Sequence, residues 1–155
     1  MAGEASLLAQ YYPDDFQVSV YSMNIAAAND PTLLVYADRD LVVDSIVCGV
    51  HATVAGASFS IEYTKDIGTA TPTGIVLATF ALDGTGSVAG DTLVSTTDSI
   101  IRTGSTGTVN AVVTGNTVID KDNNFIPKGN WVVIDTLSIS TARAGVQIRF
   151  RSRLK

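Results

Sequence analysis

The last ten residues, Val146 to Lys155, alternate apolar and polar side chains almost without a break. Val146, Ile148, Phe150 and Leu154 fall on one side, and Gln147, Arg149, Arg151, Arg153 and Lys155 on the other. Successive side chains of a strand point to opposite faces, so this stretch predicts a strand with an apolar underside and a cationic top. Upstream, Ile126-Pro127-Lys128-Gly129 reads as a turn, Trp131 to Ile139 as a β-prone segment, and Ser140 to Gly145 as a break.

The same period recurs along the chain. Phe16, Val18 and Val20 oppose Gln17, Ser19 and Tyr21, which predicts a first strand over 16–25. Asn29-Asp30-Pro31 is a turn, and Thr32 to Ala37 a second strand. Leu41 to Val54 follows, with Val43, Ile46, Val47 and Val50 as core candidates. In Ser58 to Lys65, Phe59, Ile61 and Tyr63 share one face and Ser60, Glu62 and Thr64 the other, the pattern of a half-exposed antiparallel strand. Ile75 to Leu82 has the residue types of a buried strand, with a helix as the alternative that its length alone does not exclude. Thr92 to Ile101 reads as a strand or as helical turns capped by Thr97 or Asp98. Thr108 to Thr114 and Asn116 to Ile119 read as strands.

Eight to ten short strands separated by Gly, Asn, Asp or Pro turns predict an all-β chain, an antiparallel β-sandwich. Hydrophobic content of 46% against 16% charged residues excludes disorder as the dominant state. The 155 residues suit one domain, 16–155, preceded by an extended N-terminal arm, 1–15. The arm carries Leu7, Leu8, Tyr11 and Tyr12, apolar side chains that need a surface to pack on. The low charged fraction suits a protein that lives in an assembly.

The net charge of −5 is unevenly spread. Residues 143–155 hold Arg143, Arg149, Arg151, Arg153 and Lys155 and no acid; the rest of the chain sets five bases against fifteen acids, a balance of −10. Such opposite surfaces either meet between molecules or neutralise each other across neighbouring strands. Cys48 is a lone cysteine in an apolar run, an inert buried thiol by expectation. The N-terminus shows no basic leader with a long apolar core, and the apolar runs fall short of a membrane span, so neither a signal peptide nor a membrane partner is expected.

No catalytic signature stands out. His51 is the sole histidine, and Ser45, Ser58 and Ser60 nearby lack a nucleophile-elbow pattern, so a strand-face histidine is expected. Asp120, Asp122 and Asn124 begin like a calcium loop, but the sixth position is Phe125 where glycine belongs and the twelfth is Trp131 where glutamate belongs; a polar turn is the better reading. Gly84-x-Gly86 and Gly104-x-x-Gly107 lack the strand-to-helix frame of a phosphate loop. Glu62 and the aspartates would have to supply any glycosidase pair, and sequence alone does not place them relative to one another. The arginine row lacks interleaved aromatics in an acidic protein, so nucleic acid is not expected. Trp131 reads as the start of a core strand, with sugar stacking as its other use.

Phe125-Ile126-Pro127-Lys128-Gly129-Asn130-Trp131 running into Val132-Val133-Ile134, with the closing Val146-Gln147-Ile148-Arg149-Phe150, resembles the small β-sandwich virion proteins of tailed bacteriophages, in particular the capsid decoration or cement proteins. The likeness covers the final thirty residues and the Val/Thr/Gly/Ala texture. It implies a jelly-roll sandwich, a homotrimer on the capsid surface, a major capsid protein as partner, and neither enzyme activity nor a cofactor. Leu7, Leu8, Tyr11, Tyr12, Arg149, Arg151 and Arg153 are then the interface candidates. The competing expectation is a receptor- or carbohydrate-binding β-domain of a phage fibre or tail.

Overall fold

The structure, a computed structural model, describes residues 15–24, 32–67, 74–85, 87–104, 107–109, 115–136 and 142–152. Among them the chain forms eleven strands and no helix: β1 (Asp15–Asn24), β2 (Thr32–Tyr36), β3 (Leu41–Ala52), β4 (Ser58–Thr64), β5 (Ile75–Ala81), β6 (Thr92–Ser95), β7 (Ile100–Gly104), β8 (Gly107–Val109), β9 (Phe125–Ile126), β10 (Trp131–Thr136) and β11 (Arg143–Ser152). One sheet, called A here, runs β1-β11-β3-β6-β7-β8, with β9 paired to the start of β3. The other, sheet B, runs β2-β10-β4-β5. Every pairing is antiparallel, as the alternating pattern requires of an all-β sandwich.

The core lies between the sheets. Sheet A contributes Val43, Ile46, Cys48, Ile148 and Phe150; sheet B contributes Phe59, Ile61, Phe80, Val132 and Ile134. Phe59 and Phe80 stack with ring centroids 5.4 Å apart, and each such buried side chain contributes about 1.5–3 kcal/mol. Val146, Ile148 and Phe150 point inward while Arg149 and Arg151 stay exposed, so the alternation of β11 is realised.

Two β-bulges shape β3. Between Arg149↔Ser45 and Phe150↔Val43 the residue Asp44 is extra, and between Arg143↔Ala52 and Ala144↔Val50 the residue His51 is extra. A bulge adds one residue to one strand and shifts its side-chain phase. Val43 and Ile46 therefore both face inward although three positions apart. The same shift turns Val47, expected in the core, to the outer face of sheet A.

Several boundaries differ from the sequence reading. Residues 92–101 hold two strands, β6 and β7, joined by a turn in which the Thr96 Oγ1 accepts from Ser99 N (3.1 Å). Strand β11 begins at Arg143, inside the expected break, because its register with β3 continues through the Gly145↔Gly49 pair. Phe125–Ile126, expected to lead into a turn, pairs with Leu41 and Val42 first. The expected arm up to residue 14, with Leu7, Leu8, Tyr11 and Tyr12, lies outside the described residues, as do Arg153, Leu154 and Lys155.

Residues 116–119 do not form a strand, yet they protect an edge. Thr117 N donates to Thr79 O (3.0 Å) and Asp120 N to Leu77 O (3.0 Å), both on the open side of β5. The side chains of Thr117 and Asn116 accept from Thr79 N (2.8 Å) and Ala81 N (2.9 Å). On the opposite side, Ile119 N donates to Thr96 O (2.9 Å) and Ser95 Oγ to Thr117 O (3.0 Å). The segment thus stitches β5 of sheet B to β6 of sheet A, with Ile119 buried between them.

Candidate functional site

The outer face of sheet A carries the cationic row. Along β11, Arg143, Gly145, Gln147, Arg149 and Arg151 alternate outward, and the three arginines are exposed. Arg151 Nη2 meets Asp44 Oδ1 at 3.1 Å, so the bulge that displaces Asp44 also supplies this arginine with an acid of its own sheet. The pair is solvent-exposed and worth at most about 1 kcal/mol.

Between Arg143 and Arg149 the surface sinks. Gly145 of β11 lies directly opposite Gly49 of β3, which in turn pairs with Thr92 of β6. Two adjacent strands without side chains at one level leave an open trough of about 250 Å³, lined by Val47, Gly49, His51, Thr92, Gly145, Val146 and Gln147. Its two ridges come from the flanking levels: Gln147 and Val47 on one side, the bulged and exposed His51 on the other. His51 is the strand-face residue expected of it; Ser45 lies three levels away on the same strand, and Ser60 belongs to the other sheet.

Sheet B holds a different cluster. Ser60, Glu62 and Thr64 of β4 face away from Phe59, Ile61 and Tyr63, as the alternation predicts. They are nevertheless buried, at 1%, 5% and 5% exposure, so β4 is enclosed on both faces and the expected half-exposed strand is corrected. Ser60 Oγ donates to Glu62 Oε1 at 2.5 Å. Asp135 of β10 stands across from Ser60 in register, which brings together the carboxylate pair that spacing could not place. Burial pushes the Glu62 carboxyl above its ordinary range; the Ser60 hydrogen bond partly opposes this, and the charge of Asp135 raises it further. Gly74 lies against Glu62 so closely that any side chain at 74 would strike the carboxyl group.

A buried ion pair closes the far side of sheet A. Arg102 Nε meets Asp91 Oδ2 at 2.7 Å, with Asp91 only 3% exposed, and the same oxygen accepts from Val88 N (2.8 Å). Gly104 leaves room for it, since a Cβ there would come within 2.7 Å of Asp91 Oδ1.

The expected calcium-like segment is a turn fastened by Asp120: its Oδ1 accepts from Asp122 N (2.9 Å) and its Oδ2 from Asn123 Nδ2 (2.7 Å). No group of three or more potential metal-binding side chains occurs among the described residues. Trp131 opens β10 and has Tyr36 of β2 beside it, ring centroids 5.1 Å apart and tilted by 55°. Tyr36 was not singled out in the sequence, because its proximity to Trp131 arises only when β2 and β10 pair.

Fold and surface together define a two-sheet antiparallel β-protein whose inner strand β11 carries a cationic outward face beside a glycine-floored trough. Comparison of the chain with family models, with curated proteins and with solved structures finds no match.

Proposed function

We propose that this protein is a structural virion protein, a decoration or cement protein that binds where the subunits of a phage head meet and stabilises the shell. It acts there as a jelly-roll homotrimer on the capsid surface, made in the host cytoplasm, with the major capsid protein as partner and without catalysis. The reading starts from the resemblance of the closing segments. The observation that carries it is the exposed outer face of β11, where Arg143, Arg149 and Arg151 gather positive charge on a chain whose residues 1–142 balance at −10. A segregated cationic face suits docking onto acidic subunits.

The mechanism is mass action. A protein that binds assembled subunits and not dissociated ones stabilises the assembled state. A trimer multiplies weak contacts through effective concentration. Leu7, Leu8, Tyr11 and Tyr12 supply apolar contacts to a neighbour or to the shell, and Arg149 and Arg153 the ionic ones, joined by Arg151 where a shell carboxylate displaces Asp44.

Co-sedimentation with empty phage heads, followed by heating of the decorated shells, tests this. Wild-type protein pellets with the heads and raises their disruption temperature. The double variant Leu7→Ala, Tyr11→Ala loses about 1–4 kcal/mol of binding per anchor removed. Wild-type protein that stays in the supernatant at all concentrations overturns the proposal, and undiminished binding by the variant overturns the role of the arm.

A further inference from the structure

Neither a positive φ nor crowding requires the glycine at position 49. Gly49 sits in the middle of the twelve-residue strand β3, where glycine costs about 0.5–1 kcal/mol relative to alanine. Its φ is not positive, unlike those of Gly56, Gly84, Gly90, Gly115 and Gly129. Nor is it crowded: the nearest atom to an added Cβ is Gly145 O at 3.9 Å, an ordinary contact. Contrast Gly74 and Gly104, where a Cβ would strike Glu62 or Asp91. A strand glycine that needs neither a positive φ nor extra room leaves backbone that a ligand can approach closely, here beside the bulge at His51 that bends the strand.

What fits is set by the trough. Its volume of about 250 Å³ lies just under the range for drug-sized ligands, room for a single six-membered ring. The floor, formed by Gly49 and Gly145 with the Val47 side chain at its edge, suits the C–H face of such a ring. The rims offer a hydroxyl and an imidazole, from Thr92 and His51, beside the Gln147 side chain. Arg143 projects from the same face of β11 two residues before Gly145, about 7 Å along the strand, and is exposed. An apolar floor edged by hydrogen-bonding groups, with a guanidinium one step away, matches a hydroxyl-rich ring that carries a carboxylate.

We propose that the Gly49–Gly145 trough is a binding site for an acidic pyranose residue of a glycan, a sialic or hexuronic acid, with Arg143 receiving the carboxylate. The site does not depend on the capsid role: it would serve equally a decorated head that adheres to surface polysaccharide.

Saturation-transfer NMR on the full chain tests it with three probes, 3′-sialyllactose, trigalacturonate and neutral lactose. At least one acidic probe receives saturation and lactose does not. Gly49→Val fills the trough from a position where an added Cβ meets nothing closer than 3.9 Å, so it keeps the wild-type circular dichroism and weakens the acidic probe at least about tenfold. Arg143→Gln weakens the acidic probe about fivefold or more while leaving circular dichroism unchanged. The proposal is overturned if neither acidic probe binds, if lactose binds as well as they do, or if Gly49→Val binds like wild type.

Discussion

The Ser60 hydroxyl donates a 2.5 Å hydrogen bond to Oε1 of Glu62, two residues further along the same strand and on the same outward face, with both side chains almost wholly buried. A carboxyl group enclosed on the outer side of a sheet is costly to ionise, and Asp135 on the neighbouring strand adds to that cost. The resulting asymmetry between folded and unfolded chain makes stability depend on pH.

Because burial raises the Glu62 value in the folded state, the native protein keeps a proton that the unfolded chain releases. Its contribution is fully present below the ordinary value of 4.5 and is lost as the pH rises through the folded value. Urea unfolding between roughly pH 4 and pH 8 is expected to show this fall, and Glu62→Gln to flatten it. An identical slope in the variant would assign the pH dependence to other groups.

Gly74→Ala places a methyl group 2.8 Å from Glu62 Cβ and against its carboxyl. Overpacking of this kind costs about 1–3 kcal/mol, read as a lower urea midpoint at constant m-value. Adding Glu62→Ala is expected to recover part of the loss, since it removes the carboxyl that the methyl strikes.

Arg102→Ala leaves the Asp91 carboxylate buried without its guanidinium, held by Val88 N. Breaking a buried pair on one side costs about 3 kcal/mol or more by chemical denaturation. A loss within about 0.5 kcal/mol, the range of ordinary surface substitutions, would show that water reaches this aspartate.

Cys48 has no exposed surface, and burial pushes its thiol up to about 12. It stays protonated at neutral pH, and the thiolate is the reactive form. A chromogenic disulfide reagent is expected to modify Cys48 only as fast as the fold opens, with the rate rising as urea is added. Rapid stoichiometric labelling of native protein would contradict the packing of β3 against the core.

The strands were legible wherever one face meets the core and the other meets solvent. Val146 to Arg151 alternates because the pleat imposes a period of two, and the structure reproduces the pattern residue for residue. The same rule misled at β4, where Ser60, Glu62 and Thr64 look like a solvent face and are buried. Polarity in a strand reports which side a residue takes and not what covers that side. Val47 was misplaced for a local reason: the bulge at Asp44 shifts the phase, and no residue type announces it.

The candidate site was almost invisible beforehand. Arg149 and Arg151 were legible as one cationic face because they belong to one strand, while the acid that receives Arg151 was not, since Asp44 reaches it across a strand pair. The trough needs Gly49 and Gly145 at the same level of adjacent strands, a relation across 96 positions that only register creates. By itself, then, the sequence determined the all-β class, the sidedness of its strands and the sorting of charge, because these follow from local periodicity. Tertiary structure alone decided which glycines, carboxylates and aromatics became neighbours, because strand order and register are settled by long-range pairing that no local pattern encodes.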